Sequence, residues 1–444
     1  MFKAGYAQEV ITPPVGVDLA GYFNVRLNEG AYDDLYVKVI AMEANKKKFA
    51  FLTLDLCHLA REISRRLDEA IEKEFGKKML DNMIISAIHT HTGPRFDNDP
   101  SKWDERTAAA ADIIVNGAVR ALKRALMNLL PAELEATKVY NNPFANIRRY
   151  WMTDGNIITN PGWRNPNIVK PESELDRTIG ILAIKQNGRI AALMCNIANH
   201  VDTIGGNIVS ADWPGRLAQE IQHELKTSLP VLIVDDASGD VNHFDFRQEI
   251  NQTSYNEATR IGRGYARIIL DALPDLKPLA VKDVVIKNKI VDVPHRKITD
   301  KEYKAALHTL KTVPDIKKEG DFESQDLANK VPAALRYFAQ RVLDCKAKSK
   351  PSHKARFTSI ALGKEIVFVS LPGEPFNGIG RAIRAKSEKS KYKNTFVISL
   401  AQSPAGYTPM KECFERGGYE VQAAVDSAAQ NASDVLIEAA TSLL

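Results

Sequence analysis

Two apolar spacings alternate along most of the chain. Continuous or near-continuous apolar runs, the pattern of buried strands, occur at Tyr36–Met42, Phe49–Asp55, Asn82–Ile88, Ile179–Ile184, Ile190–Ile197, Val231–Val234, Ile366–Leu371 and Thr395–Leu400. Between them, Arg61–Phe75, Thr107–Leu130, Pro214–Lys226, Asn256–Leu273 and Asp300–Leu310 place apolar residues three and four apart, as helices with one buried face do. The tail Gln422–Leu444 also reads as helical. Strands alternating with helices predict an α/β fold: one large domain over residues 1–444, with a mixed sheet flanked by helices. Residues 275–350 break the pattern. A charged strand-like stretch, Val281–Val293, leads into a Lys/Glu-rich helical stretch ending near Pro351, predicting a smaller insertion or subdomain packed beside the sheet.

Composition changes this picture little. The 444 residues are 44% hydrophobic and 26% charged, ordinary for a globular chain able to bury a large core. The net charge of +5 is not gathered into one tract, and no basic stripe with interleaved aromatics argues for nucleic acid. The four cysteines (Cys57, Cys195, Cys345, Cys413) form no CxxC pair and no framework, which reads as free thiols in a reducing compartment. The N-terminus lacks a basic segment followed by an apolar one, and no uncharged apolar run approaches the ~18 residues of a membrane span. The expectation is a soluble, cytoplasmic protein; its oligomeric state is left open.

Chemistry gathers where strands give out. The run Asn82–Ile88 ends in His89-Thr-His91-Thr-Gly-Pro94. If the strand continues, residues i and i+2 share a face, so both imidazoles project together, a natural start for a zinc site. Other runs end in His200, in Asp235 and Asp236 followed by Gly239-Asp240-Val241-Asn242-His243, in Pro372-Gly373-Glu374, and in Gly406-Tyr407. In α/β sheets, loops beyond strand carboxyl ends converge on ligands. Each of these residues alone is as ordinary as a turn residue, but five ends together read as a site.

At these residues the sequence resembles the catalytic domain of the neutral, non-lysosomal ceramidases. Ile11-Thr12-Pro13, Ala20-Gly21-Tyr22, the His89–Pro94 segment, Asn199-His200, Ser238–Asn242, Pro372-Gly-Glu374 and Gly406-Tyr407 through Tyr419-Glu420 carry the resemblance. It spans nearly the whole chain but is thin over about 275–350. It implies a zinc amidase, with zinc held by His89, His200, Glu374 and Tyr407. It makes His91 a group facing the substrate rather than a ligand, and places Tyr419 near the scissile carbonyl. Strand geometry disagrees over His91, making it a second ligand beside His89. Zinc-bound water is a hydroxide source at neutral pH, and the developing oxyanion needs donors; Tyr419 and an arginine, Arg149 with Arg148 as alternate, suit that role by type. His91 suits protonation of the departing amine, and Asp240 could orient a histidine or act as base.

The chain departs from that family in ways that bear on substrate. A serine follows the family's Gly-Asp-Val; here Asn242 stands there, able to hydrogen-bond but not to act as a hydroxyl nucleophile, with His243 next, either a new site residue or a surface histidine. Targeting segment and β-sandwich domain, which the resemblance would add, are not expected from this sequence. The resulting expectation is a zinc-dependent hydrolase of an N-acyl bond in a lipid or small molecule. Its alternatives are a same-fold hydrolase of a soluble N-acylated sugar or amino acid, and a non-catalytic lipid- or sugar-binding relative. Asp212 reads as a cap for the helix entered through Pro214, and Asp55 as either a partner for a ligating imidazole or a turn carboxylate.

Overall fold

The apolar runs form strands of three sheets rather than one, in a computed structural model that describes residues 2–281, 283–318, 324–347, 350–425 and 428–444. The first sheet orders Met83–Ala87, Lys47–Leu54, Tyr36–Ala44, Lys3–Val10 and Leu130–Pro131 side by side. The second orders Val231–Asp235, Arg189–Ile197, Ile179–Gln186, Glu133–Val139 and Lys277–Pro278. The third orders Val284–Pro294, Ser352–Leu362, Ile366–Ser370 and Asn394–Ile398. Each is antiparallel except for one edge pair: Lys47–Leu54 with Met83–Ala87, Arg189–Ile197 with Val231–Asp235, and Ile366–Ser370 with Asn394–Ile398. The α/β class with mixed sheets therefore holds, with the apolar strands divided among three sheets and short strands forming further two- and three-stranded ones.

The three parallel edges meet. Ala87 and Gln402 donate backbone hydrogen bonds to Leu400 and Ile85, tying the first sheet to the third, and Ser399 donates to Asp235, tying the third to the second. A central apolar layer seals the junction: Phe49, Phe51, Leu182, Met194, Val234, Phe368 and Phe396 are all essentially buried. The Phe51 and Phe368 rings lie 4.4 Å apart and the Phe368 and Phe396 rings 5.4 Å apart. Each such ring contributes roughly 1.5–3 kcal/mol by leaving water.

Helices cover the outer faces. Helix Arg61–Phe75 buries Ile63, Leu67 and Ile71, spaced by four, and stops at Gly76. Helix Glu105–Met127 opens where Asp104 accepts from Thr107 N, and helix Tyr255–Ala272 where Ser254 accepts from Glu257 N, each side chain satisfying an otherwise unpaired amide. Helices Asn377–Lys389 and Ala432–Thr441 pack on the third sheet. Two expected helices end earlier: Glu105–Met127 yields to an edge strand at Leu130–Pro131, and of Gln422–Leu444 only Ala432–Thr441 is α-helical, residues 426 and 427 lying outside the described ones.

In the 275–350 region, strand Val284–Pro294 belongs to the third sheet and pairs with Ser352–Leu362. The chain between these two neighbours carries helices Asp300–Thr312 and Pro332–Ala347, which pack on each other. Thr299 and Glu302 cap the first of them reciprocally. Residues 319–323 and 348–349 of this region lie outside the described ones. No helix among the described residues is long and apolar enough to cross a membrane.

Candidate metal centre and cavity

Each sheet delivers one side chain just beyond a strand of its parallel edge. His89 follows Met83–Ala87, His200 follows Arg189–Ile197, and Glu374 follows Ile366–Ser370. His89 Nε2 lies 3.3 Å and His200 Nε2 lies 3.4 Å from the same oxygen, Glu374 Oε2. That oxygen is buried and makes no hydrogen bond. The other ring nitrogens are committed: His89 Nδ1 sits 2.8 Å from Cys57 O, and His200 Nδ1 sits 3.1 Å from Ser238 O. An Nδ1–H donated to a carbonyl turns the Nε2 lone pair towards Glu374, the usual outer support of a metal-binding imidazole, although on His200 that lone pair also meets Arg148 Nη1 at 3.0 Å.

The donor set fits zinc. Ligands about 2.0–2.1 Å from a tetrahedral ion sit about 3.3–3.4 Å from one another, the spacing found here between nitrogen and oxygen. Burial would raise the Glu374 carboxyl, but the facing imidazoles of His89 and His200 hold it well below the usual carboxylate range. Burial, then Arg148 and His89, push His200 down to about 3, so it is neutral and able to ligate. His89 runs the other way: burial lowers it, but Glu374 and Cys57 outweigh burial and raise it well above the usual imidazole value. Tyr407 pairs with Glu374 through adjoining parallel bridge residues and is buried beside Arg148, whose guanidinium carbon lies 5.3 Å from its ring centre. Gly373 makes this approach possible: its φ is +61°, and a Cβ there would lie 2.5 Å from Gly406 O.

The His-Thr-His segment is not a strand. The strand stops at Ala87, and His89 has φ +78°, a left-handed backbone rare outside glycine. Strand alternation is therefore not what brings His89 and His91 together. Backbone hydrogen bonds pin the segment instead: His89 N donates to Leu56 O at 2.9 Å, and His91 N to Val201 O at 3.1 Å. His91 Nε2 ends 3.4 Å from His89 Nε2, yet His91 is not within the His89–His200–Glu374 cluster. A second cluster joins Cys57, His89 and His91. It lacks a free nitrogen on His89, because the Nδ1 facing Cys57 Sγ at 3.8 Å already bonds Cys57 O.

His91 is instead held from its far side. Nδ1 lies 3.1 Å from Asp202 Oδ1, and Tyr22 Oη donates to that same oxygen at 2.7 Å. The Tyr22 ring meets the imidazole edge to face at 5.7 Å. His89, His91, Glu374, Tyr407 and Tyr419 all line one cavity of about 1170 Å³.

Residues 2–153 match the family model described as neutral/alkaline non-lysosomal ceramidase, N-terminal. The solved neutral ceramidase from Pseudomonas aeruginosa superposes on 100% of this chain and 74% of its own, with TM-score 0.71 and 15% identity. A ceramidase complexed with C2 superposes on 98% of this chain and 74% of its own, with TM-score 0.69 and 14% identity. The chain has the neutral ceramidase fold. No curated protein sequence matches it. The neutral ceramidase family match includes His89, His91 and Arg148; His200, Glu374 and Tyr407 lie beyond it.

Several expected residues stand elsewhere. Arg149 does not face the cavity. It is fully buried, bonded to Glu172, to Glu420 Oε2 at 2.6 Å and to Gly417 O. Arg148, the alternate, does not line the cavity either, but it reaches the His89–His200–Glu374 cluster: its Nη1 is 3.0 Å from His200 Nε2, and its Nε bonds Glu420 Oε1 at 2.8 Å. Asp240 meets no histidine; Oδ1 accepts from Asn377 N at 2.7 Å, and burial pushes its carboxyl up to about 6. Asn242 bonds Asn160 at 2.8 Å and does not line the cavity. His243 is neither in the site nor on the surface: it is buried, with Nε2 2.7 Å from Gln252 O. Asp55 pairs with Lys38 at 3.1 Å rather than an imidazole. Asp212 opens its helix with φ +54°; Oδ1 accepts from Trp213 N in the first turn, as a cap does, while Oδ2 accepts from Thr203 N and Ile204 N and anchors a loop. Asp202 and Tyr22 went unassigned in the sequence, although Asp202 lies two residues after His200.

Proposed function

We propose that the chain is a zinc-dependent hydrolase of an N-acyl (amide) bond, with His89, His200, Glu374 and Tyr407 holding the metal. The observation that carries this reading is the buried, unbonded Glu374 Oε2 with two imidazole Nε2 atoms at tetrahedral spacing from it, at the wall of an open cavity. The ceramidase fold and the family match over residues 2–153 support the hydrolytic class. Zinc there would supply a Lewis acid and a water acidic enough to be hydroxide near neutral pH.

The protein's own groups provide the rest. The Asp202 carboxylate, 3.1 Å from His91 Nδ1, favours a proton on that nitrogen, which leaves Nε2 to take a proton from the attacking water and return it to the departing amine. Tyr419 lines the cavity with its ring 5.8 Å from Tyr407, which supports a role for its phenol as a donor to the reacting carbonyl. Arg148 is the available cation, fixed by Glu420 on one side and Gly239 O at 2.8 Å on the other. No hydroxyl nucleophile is required, consistent with Asn242 lying outside the cavity. The test is hydrolysis of N-acyl amides by protein stripped with a chelator and then reloaded. Activity lost on stripping, restored by zinc and absent in Glu374→Gln is the expected result. Activity indifferent to stripping overturns the metal role.

A further inference from the structure

We propose that the substrate is an N-acyl compound with a short acyl group on a polar or charged amine, selected by helix Pro332–Ala347; this rests on the N-acyl hydrolase reading above. The cavity walls are the first ground. Among the described residues, eleven of the thirty that line it are Asp, Glu, Lys or Arg and seven are aromatic, while none is Leu, Ile or Met and Val425 is the one branched aliphatic. Ligand sites that bury alkyl chains are walled by apolar side chains. Two long chains laid here would strip water from charges on both walls, and stranding a charge away from water costs more than a methylene returns.

The second ground is the helix itself. Tyr337, Arg341, Asp344 and Cys345 fall at i, i+4, i+7 and i+8 and line the cavity, so one helical stripe faces it. Tyr337 joins an aromatic wall that runs inward to the metal cluster. Its ring lies 5.2 Å from Phe23, Phe23 lies 6.2 Å from Tyr419, and Tyr419 lies 5.8 Å from Tyr407. Flat rings beside the reacting centre suit an acetyl-sized group or the face of a ring. Farther out, Arg61 and Lys350 add positive groups, and Asp97, Asp99 and Asp344, which also hold Lys102, Ser101 and Gln340, add negative ones, so the outer wall is polar and suits a polar amine portion. This helix lies outside the residues that the family model matches, so nothing in that match fixes the outer wall.

An acyl-length series decides it. N-acyl derivatives of one amino acid and of one hexosamine, from two to sixteen carbons, are assayed with the zinc-loaded full chain, with short-chain and long-chain ceramide alongside. Calorimetric affinities on metal-stripped protein rank the same series without turnover. The expected result is a kcat/KM that is flat or falling beyond the shortest acyl groups, with Tyr337→Leu/Arg341→Leu raising the long-to-short ratio by about tenfold or more, as roughly two newly favourable methylenes would. An alkyl-binding groove would instead raise kcat/KM about fourfold per methylene, at ~0.8 kcal/mol each. Such a rise, or a long-chain ceramide as the best substrate, overturns the inference and leaves the hydrolase reading intact. No turnover at any length overturns both.

Discussion

Asp202→Asn isolates the role given to His91. Asp202 Oδ1 takes the His91 Nδ1 contact at 3.1 Å and the Tyr22 hydroxyl at 2.7 Å, in a half-buried position. Burial would raise this carboxyl, but the neighbouring His91 imidazole and the Tyr22 hydroxyl hold it below the usual range. It is therefore an anion 3.1 Å from the imidazole Nδ1, a close contact that closes into a charge-assisted hydrogen bond when the ring turns to donate, worth about 1.5–3 kcal/mol. Asparagine keeps the shape but removes the charge, and its amide can donate to Nδ1 and reverse the tautomer. Losing that bond where proton transfer occurs lowers kcat about 10- to 150-fold, one factor of ten for every ~1.36 kcal/mol. KM and zinc content should stay within about twofold, because no ligand is touched. The assay is steady-state hydrolysis with metal analysis on the same preparation, and the His91 tautomer is read directly from its ring nitrogen shifts by NMR. Asp202→Glu should recover part of the rate. An unchanged kcat in Asp202→Asn, or an unchanged tautomer, refutes the reasoning.

Three further substitutions probe neighbouring claims. Gly21→Ala places a Cβ 2.4 Å from His91 Cγ at φ +100°, so the imidazole must move; kcat should fall at least tenfold, with zinc retained by metal analysis. Arg149→Met takes from buried Glu172 and Glu420 one of the two cations each faces, leaving them Arg416 and Arg148, and denaturant titration should show a loss of about 1.5–3 kcal/mol, whereas an exposed oxyanion donor would cost rate and little stability. His353 is pushed down to about 4 by burial and then by His295 and Arg61, with both ring nitrogens unpaired. An unfolded histidine takes its proton near pH 6.5, so its contribution is present above that value and is lost as pH falls towards 4. Allowing for its partial exposure, His353→Phe should remove about 1–2 kcal/mol of the stability difference between pH 7 and pH 5, read from urea midpoints.

Much of the fold was legible because its strands are buried on both faces and its helices on one. Helix Arg61–Phe75 was legible to the residue, since Ile63, Leu67 and Ile71 repeat cleanly and Gly76 stops it. The split into three sheets was not, because a run such as Ile366–Ser370 carries no mark of which neighbour it pairs with. At the site, strand-end residues pointed to His89, His200 and Glu374, which do converge. Arg148 and Arg149 could not be told apart by type; only packing shows that Glu172 and Glu420 claim Arg149. Alternation misread the reason for His89 and His91 lying together, because a positive φ at a histidine leaves no trace in sequence. Asp240 and Asn242 drew notice through their motif, yet their partners, Asn377 and Asn160, lie more than eighty residues away in the chain.

Metal content tests the central claim most directly. Protein purified without a metal-affinity tag, as wild type, His89→Ala and His91→Ala, is measured by mass spectrometry before and after incubation with zinc and desalting. The account predicts about one zinc per chain in the wild type, none in His89→Ala, and the wild-type content in His91→Ala. A wild type that takes up no zinc contradicts the metal centre, and loss of zinc in His91→Ala would make that histidine a ligand rather than the proton carrier.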